Sequence, residues 1–255
     1  MLLSVATIVV VVAIAFPLAM WLLQERLIFL PQPLSEAQRA AIKHRHPAVR
    51  EVFLESGSHA WHLPGEPLVL YFGGNAEDVS WMLANRLPGV GWLLVNYPGY
   101  GASKGAPSEE TISADALRWY DLAAKEIKPQ KLFVFGRSLG SGPAVLLASE
   151  RKPAGVILVT PFDSLIEVAK RHYPFLPVRY MLRHQFDSVS RAPRAGAPLL
   201  CLAAARDEVI PSSHARKLFD AWHGEKRWIE LEEAGHNTTD GHPRFWDSIK
   251  SFIHG

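Results

Sequence analysis

The sequence predicts an α/β domain with a mostly parallel sheet covered by helices on both faces, preceded by one apolar helix. Continuous apolar runs of strand length alternate with stretches of helix length. The 255 residues, 48% of them hydrophobic, suffice for one large domain with a full core. A long uncharged run stands at the N terminus. The net charge of +2 gives no case for nucleic-acid binding.

Residues 1–24 are predicted to form a single transmembrane helix. Leu2 to Leu23 contains no charged residue, and at about 1.5 Å per residue this run reaches the roughly 30 Å of bilayer hydrocarbon. A cleaved signal peptide is the alternative, because Ala13-Ile14-Ala15 fits a small-residue cleavage pattern. Against it, no Lys or Arg precedes the apolar run, and the chain stays apolar for eight residues past that pattern.

The charge distribution around this helix predicts its orientation. The N-terminal flank has no basic side chain, whereas basic residues follow the helix at Arg26, Arg39, Lys43 and Arg45. The positive-inside rule therefore predicts a single-pass membrane protein whose C-terminal domain is cytoplasmic.

Residues 25–48 are predicted to link the anchor to the domain. Leu27 to Leu30 lie either at the membrane surface or against the core. A short helix is expected from Ser35 to His44, with Ser35 as its N-cap and Gln38 three residues further on.

Residues 49–255 are predicted to contain eight strands and five longer helices. The strands are Val52–Leu54, Ala60–Leu63, Leu68–Phe72, Trp92–Tyr97, Leu132–Phe135, Val156–Val159, Leu199–Ala203 and Trp228–Leu231. The helices are Glu77–Leu87, Ser108–Ile127, Leu139–Arg151, Ser212–Trp222 and His242–Ile253. The first two strands are expected to pair as a hairpin across Ser56-Gly57-Ser58.

A Gly-x-Ser-x-Gly motif follows the fifth strand. Gly136, Ser138 and Gly140 lie between this apolar strand and a helical run of small and apolar residues. Such a strand-turn-helix setting is typical of a nucleophile elbow, with Ser138 on a sharp turn. Glycine is needed two residues to either side because a Cβ there would crowd the turn. An ordinary Gly-Ser loop is the alternative interpretation.

The loops beyond the carboxyl ends of the strands carry the other candidates, because ligands of such a sheet bind there. Asp207 follows the seventh strand, where a carboxylate can reach an imidazole and hold its tautomer. His236 follows the eighth strand, next to Gly235, and can act as a general base. The chain order Ser138, Asp207, His236 is the order expected of a triad in this kind of fold.

Other residues compete for two of these roles. Glu208 and Asp163 are alternatives for the acid, although Asp163 fits better as a cap for a helix that starts at Ser164. His242 is an alternative base, but its neighbours place it at the start of a helix.

The loop Gly73-Gly74-Asn75 follows the third strand. Tight glycine backbone lets an amide N–H point at an anion there, as the first donor of an oxyanion hole does. The N–H of Leu139, just after the nucleophile, is the expected second donor. A plain turn between strand and helix is the alternative.

Together these residues resemble the α/β-hydrolase superfamily. More narrowly, the chain is similar to the membrane-anchored, small-lidded serine hydrolases of the Bem46-like branch, whose members include protein depalmitoylases. The resemblance covers nearly the whole chain and rests on the anchor and on QERLIFLPQP, YFGGNAE, NYPGYGAS, GRSLGSGPA, TPFDSL, ARDEVIP and AGHN. It implies an α/β-hydrolase catalytic domain at 49–255, with an eight-stranded sheet and a small two-helix lid at 164–197.

One departure from the family concerns the loop after the third strand. Members commonly have His-Gly-Asn where this chain has Gly73-Gly74-Asn75. By that alignment the N–H of Asn75 is the first oxyanion donor. Loss of the histidine removes a side chain that would brace the loop.

The resemblance implies hydrolysis of an ester or thioester through an acyl-enzyme, with no metal or cofactor. The substrate would be a small molecule or an acylated protein close to the bilayer. The expected lid is apolar at Tyr173, Phe175, Leu176, Tyr180, Met181 and Leu182, either to contact an acyl chain or to pack on the domain.

Two other functions remain open from the sequence. An aminopeptidase-like serine peptidase would need an acidic side chain, from Asp163, Glu167 or Asp187, facing Ser138 to hold a substrate amine. A catalytically silent hydrolase fold could instead act as a membrane-bound interaction protein.

Overall fold

The computed structural model describes residues 2–255, and Met1, which belongs to the predicted anchor, lies outside the described residues. The α-helices are α1 (Leu2–Ile28), α2 (Glu36–Arg45), α3 (Met82–Asn85), α4 (Glu109–Leu122), α5 (Ser141–Glu150), α6 (Leu165–His172), α7 (Val178–Met181), α8 (Ser188–Arg191), α9 (Ser212–Ala221) and α10 (Pro243–His254). The strands are β1 (Arg50–Phe53), β2 (His59–Leu63), β3 (Leu68–Phe72), β4 (Gly91–Asn96), β5 (Leu132–Arg137), β6 (Gly155–Val159), β7 (Leu199–Ala204) and β8 (Lys226–Leu231).

Within residues 2–255 the strands form one eight-stranded sheet in the order β1-β2-β4-β3-β5-β6-β7-β8. β1 pairs with β2, and β2 with β4, in antiparallel fashion. All other neighbouring strands of this sheet are parallel. The predicted mostly parallel sheet and its N-terminal hairpin are therefore confirmed.

Helices cover both faces of the sheet because its central strands are apolar on both sides. In β3, Leu68 and Leu70 belong to one buried cluster, which also contains side chains of α4, α5 and α9. Val69 and Tyr71 belong to the other cluster, with side chains of α3 and α10. This alternation has the period of two expected of a strand. Because helices cover the two faces of the sheet, the carboxyl ends of its strands are where the sheet stays open.

The helix after β3 is shorter than the predicted Glu77–Leu87. It consists of a 3₁₀ turn at Val79–Trp81 followed by the single turn of α3. The carboxylate of Asp78 accepts a hydrogen bond from the N–H of Ser80, so this turn begins after Asp78. Glu77 is thereby left in the loop, where it has another role.

The segment after α1 is fastened to the domain. Phe29 is 1% exposed and lies in the core, which settles its position among the two alternatives. The N–H of Leu34 donates to the carbonyl of Gly101 at 2.8 Å. α2 begins with the predicted capping box, in which Ser35 and Gln38 bond reciprocally.

Most of the α1 side chains that the structure describes are exposed. Its stretch Thr7–Ile28, 22 residues, is long and apolar enough to cross a membrane, and a signal sequence would pass the same test. Among residues 2–255 this is the one helix with that property.

The predicted lid segment contains α6 and α7, which pack against each other. α8, which follows them, packs against α5 and α9 and so belongs to the body of the domain. The segment 164–197 therefore contains two helices that pack against each other and a third, short helix that packs on α5 and α9.

Candidate active site

Ser138 occupies a sharp turn between β5 and α5. Its φ of +51° lies in the left-handed region, which a non-glycine residue adopts only when its surroundings enforce it. The hydroxyl of Ser141 donates to the carbonyl of Ser138 at 2.7 Å and helps to hold the turn. This geometry lifts the Ser138 hydroxyl out of the strand towards the open edge of the sheet.

The glycines at 136 and 140 are required by close approach. A Cβ on Gly140 would overlap the carbonyl oxygen of Phe72 in β3, and a Cβ on Gly136 would overlap the carbonyl of Gly140. The Cβ on Gly136 would also lie 2.7 Å from the Cβ of Ala144. These two of the four predicted supporting glycines therefore allow β3, β5 and α5 to pack together at the turn.

Ser138, His236 and Asp207 form a continuous chain of hydrogen bonds. Ser138 Oγ lies 2.8 Å from His236 Nε2, and His236 Nδ1 lies 2.7 Å from Asp207 Oδ2. With the proton on Nδ1 donated to the carboxylate, Nε2 accepts from the serine hydroxyl. The three residues come from loops after β5, β8 and β7, so the parallel sheet brings them together from 98 and 29 residues apart.

The Asp207 carboxylate is buried, and both of its oxygens have hydrogen-bond partners. Its side chain is 1% exposed, against 10% for the imidazole of His236. While Oδ2 faces the imidazole, Oδ1 accepts from the N–H groups of Val209 at 2.9 Å and Ile210 at 2.7 Å. The loop backbone therefore fixes the carboxylate and, through it, the ring.

The alternative residues lie elsewhere. Glu208 is exposed. Asp163 is buried and its Oδ1 lies 2.7 Å from His214 Nδ1, while Ser164 rather than Asp163 caps α6. The Nδ1 of His242 accepts from the N–H of Arg244 at 3.2 Å as the cap of α10.

The oxyanion candidates border the same cavity. Gly74, Asn75, Ser138 and His236 line it together. The N–H of Gly74 is occupied, because it donates to Glu77 Oε2 at 2.7 Å. The N–H of Asn75 has no acceptor within the described residues. Leu139 is in the first helical turn, where N–H groups lack partners within the helix.

Glu77 helps to hold the loop at Gly74 in place, a role that its position in the sequence did not predict. Its Oε1 accepts from the Tyr71 hydroxyl at 2.5 Å and from the indole N–H of Trp81 at 2.7 Å. Its Oε2 accepts from Gly74 and lies 3.6 Å from a guanidinium nitrogen of Arg137. An acid three residues after Gly74 in a glycine loop was the available signal, but its other partners come from separate elements.

Two buried phenols support the same loop. The Tyr97 hydroxyl donates to the carbonyl of Gly73 at 2.7 Å. Burial, followed by the nearby Glu77 carboxylate, raises the pKa of Tyr71 and of Tyr97 well above the ordinary value for tyrosine. Both phenols therefore stay protonated and act as donors. Glu77 and Tyr97 brace the loop that lacks the histidine expected at position 73.

Replacing Glu77 by glutamine is expected to lower kcat about 10- to 100-fold, somewhat less than the loss of an oxyanion donor itself, with little change in KM. One carboxylate oxygen would become an NH₂ group, which cannot accept the hydrogen bonds that this oxygen accepts now, so the loop that carries Asn75 would shift. Steady-state kinetics on a soluble ester checks this. Asp78→Asn is the matched control, because the Asp78 carboxylate bonds only to Ser80. Equal kcat in wild type and Glu77→Gln would contradict the bracing role.

The end of α1 is tied to the same loop. The side-chain amide of Asn75 donates to the carbonyl of Ile28 at 2.6 Å, and its oxygen accepts from the N–H of Leu30 at 2.9 Å. The Tyr100 hydroxyl donates to the same oxygen at 2.9 Å. Burial raises the pKa of Tyr100 to about 12. The side chain of Asn75 therefore connects the end of the apolar N-terminal helix to the candidate oxyanion loop.

Among residues 2–255, no group of three or more His, Cys, Asp or Glu side chains is arranged to hold a metal ion. Cys201 is buried in β7, and burial raises the pKa of its thiol.

Comparison with known sequences finds relatives over most of the chain. No protein-family model matches. An uncharacterised protein of Mycobacterium tuberculosis, Rv2307c, is 35% identical over 272 aligned positions, covering 98% of this chain and 94% of the relative. The human alpha/beta hydrolase domain-containing protein 17B is 30% identical, covering 72% of this chain and 65% of the relative.

Solved structures share the fold. The crystal structure of an alpha-beta hydrolase from Vibrio vulnificus matches with a TM-score of 0.67 and 19% identity, covering 86% of this chain and 87% of that one. An esterase from Exiguobacterium antarcticum matches with a TM-score of 0.62 and 17% identity, covering 80% and 99%. At these identities the likeness speaks for the fold alone, and the predicted α/β-hydrolase fold is confirmed.

Proposed function

Because the chain belongs to the α/β-hydrolase superfamily and is a distant homologue of the alpha/beta hydrolase domain-containing 17 proteins, we propose that it is a membrane-anchored serine hydrolase that cleaves carboxylic esters or thioesters. The observation that carries the proposal is the hydrogen-bonded chain from Ser138 through His236 to Asp207. The membrane-anchored, Bem46-like branch is the narrower assignment that we propose.

The mechanism follows from the geometry of the three side chains. Ser138 Oγ attacks the acyl carbonyl while His236 Nε2 accepts its proton, and Asp207 stabilises the imidazolium that forms. The N–H groups of Asn75 and Leu139 receive the oxyanion. His236 then protonates the leaving alcohol or thiol. Water, which loses a proton to His236, then attacks the acyl-enzyme, the acyl group leaves as the carboxylic acid, and His236 returns the proton to Ser138 Oγ.

Neither alternative function gains support from a specific contact. The aminopeptidase-like reading needs a carboxylate over Ser138, but Asp163 is bound to His214, Glu167 pairs with Lys170, and Asp187 caps α8. The hypothesis of a catalytically silent hydrolase fold requires the three side chains of the triad to lie too far apart for hydrogen bonding. Distances of 2.8 and 2.7 Å argue against it.

A fluorophosphonate probe tests the proposal on the full chain in detergent. We expect covalent labelling, and we expect the adduct on the peptide that contains Ser138. A series of p-nitrophenyl esters and acyl-thioesters then decides which bond is cleaved. A folded chain that neither labels nor hydrolyses any member of the series would refute hydrolase function and favour the interaction protein.

The anchor is a separate prediction. We expect the expressed chain to stay with the membrane pellet after alkaline carbonate extraction, with its N-terminal segment intact by mass, because Thr7–Ile28 fits a span and its last turns bond to the domain. Protease added to sealed right-side-out vesicles should leave the domain uncut if it faces the cytoplasm. A soluble chain shortened after Ala15 would instead identify a signal peptide.

A further inference from the structure

An apolar groove lies between the last turns of α1 and the lid. Its walls include Met20, Trp21 and Leu27 on α1, and Ala169, Leu176 and Met181 on the lid. Its cavity volume is about 140 Å³ and the groove is open along one side, so it would enclose only part of a long ligand. From Met20 to Ile28 it follows α1 for about 12 Å at 1.5 Å per residue.

The single amide in the groove is already used. Gln24 Nε2 donates to the carbonyls of Trp21 at 2.8 Å and Met181 at 3.1 Å, and its Oε1 accepts from the N–H of Arg183 at 2.8 Å. The guanidinium of Arg183 lies over the Trp21 ring, 4.2 Å from its centre. These contacts join the two walls, so the groove is formed without a ligand and offers an occupant mainly apolar surface.

The inner end of the groove lies next to the candidate active site on both walls. On α1, the carbonyl of Ile28 accepts from Asn75 at 2.6 Å. On the lid, His172 Nε2 lies 2.9 Å from the carbonyl oxygen of Val209. Asn75 and Val209 both line the cavity that contains Ser138. The two sites have no lining residue in common, but these two hydrogen-bond contacts connect the elements that form the groove to the border of the catalytic cavity.

The outer end of the groove faces the region where a bilayer would be. Met20 and Trp21 belong to the stretch Thr7–Ile28, of which only 6% is buried. On the lid beside them, Phe175 is 96% exposed and Tyr180 88% exposed. Exposed aromatic side chains next to a span are typical of the membrane interface.

We propose that this groove is the acyl-chain subsite of the Ser138 site and that its occupant is the long unbranched chain of an ester resident in the bilayer. The chain enters sideways between α1 and the lid, so the anchor is one wall of the substrate site. This inference rests on the proposed function, since it names the substrate class of the same serine. The side chains that line the groove are mainly apolar, which suits a hydrocarbon and gives a charged or peptide ligand few partners.

Filling the groove in the full-length protein tests the proposal. Ala169→Trp and Met20→Trp place bulk inside it, whereas Leu22→Trp adds the same bulk on the opposite, lipid-facing side of α1, where Leu22 is 60% exposed. Each buried methylene contributes about a fourfold factor, so displacing several should lower kcat/KM for p-nitrophenyl palmitate about 100-fold. Turnover of p-nitrophenyl acetate should stay within about twofold. Leu22→Trp should leave both rates unchanged.

Binding without turnover separates this proposal from the proposed function. Palmitate with a photoreactive group at its methyl end, added to Ser138→Ala, should crosslink to peptides of α1 and of α6–α7, and Ala169→Trp in that background should abolish the crosslink. Crosslinks in the groove with no hydrolysis of any ester would refute the hydrolase and retain the subsite. Crosslinks elsewhere, or equal losses of acetate and palmitate turnover in both folded groove variants, would overturn the subsite while hydrolysis stands.

Discussion

Replacing Ser138 by alanine is expected to lower kcat for ester hydrolysis by about 10⁶-fold, the size of effect seen when a serine protease loses its nucleophile. The reason is that no other hydroxyl of the described residues lies within hydrogen-bond distance of His236 Nε2. Fluorophosphonate labelling should vanish together with turnover. The measurement is a side-by-side rate assay with active-site labelling of purified wild type and variant.

The folded state of Ser138→Ala should be little changed. Alanine meets the same backbone strain at φ +51° as serine does, and the hydroxyl bonds only to His236. Ser149→Ala, which removes a hydroxyl near the end of α5, is the matched control and should keep full activity. A Ser138→Ala protein that retains near wild-type turnover would move the nucleophile elsewhere.

Replacing Asp207 by asparagine is expected to reduce kcat by about 10⁴-fold while the protein stays folded. Asparagine can keep its oxygen on the N–H groups of Val209 and Ile210, as Asp207 Oδ1 does now. Its amide would then face His236 Nδ1 and donate to it. The imidazole would carry its proton on Nε2, where it cannot accept from Ser138.

Two neighbouring substitutions make this result specific. Glu208→Gln changes an exposed carboxylate next in the chain and should have no effect on kcat. Asp163→Asn weakens the buried pair with His214 and should lower the melting temperature more than it lowers kcat. If Asp163→Asn or Glu208→Gln caused the larger loss of kcat, the acid role would belong to that residue.

The parts of the site that the sequence predicted are those encoded locally. The Gly136-x-Ser138-x-Gly140 turn is specified by five consecutive residues, and each loop candidate follows an apolar run that can be recognised as a strand. Once the parallel sheet is assumed, the loops after β5, β7 and β8 must meet at one edge. Hence Ser138, Asp207 and His236 could be grouped before any coordinates were known.

The parts that it missed depend on contacts between distant segments. Glu77 braces the candidate oxyanion loop, and its partners Tyr71, Trp81 and Arg137 lie in β3, in the turn before α3 and at the end of β5. Gln24 and Met181 are 157 residues apart, yet their hydrogen bond joins α1 to α7. No local pattern identifies such partners, because the sequence around a polar side chain does not show whether that side chain ends in solvent or in a hydrogen-bond network.

The strained backbone of Ser138 has a cost in stability that a function has to offset. A non-glycine residue at φ +51° costs the native state about 1–3 kcal/mol, a sizeable share of a typical domain's stability. Glycine would remove that cost at this position. A protein needed only as a scaffold has no reason to keep the serine, whereas an enzyme accepts a less stable native state in exchange for reactivity. The proposed serine hydrolase function would account for this cost at Ser138.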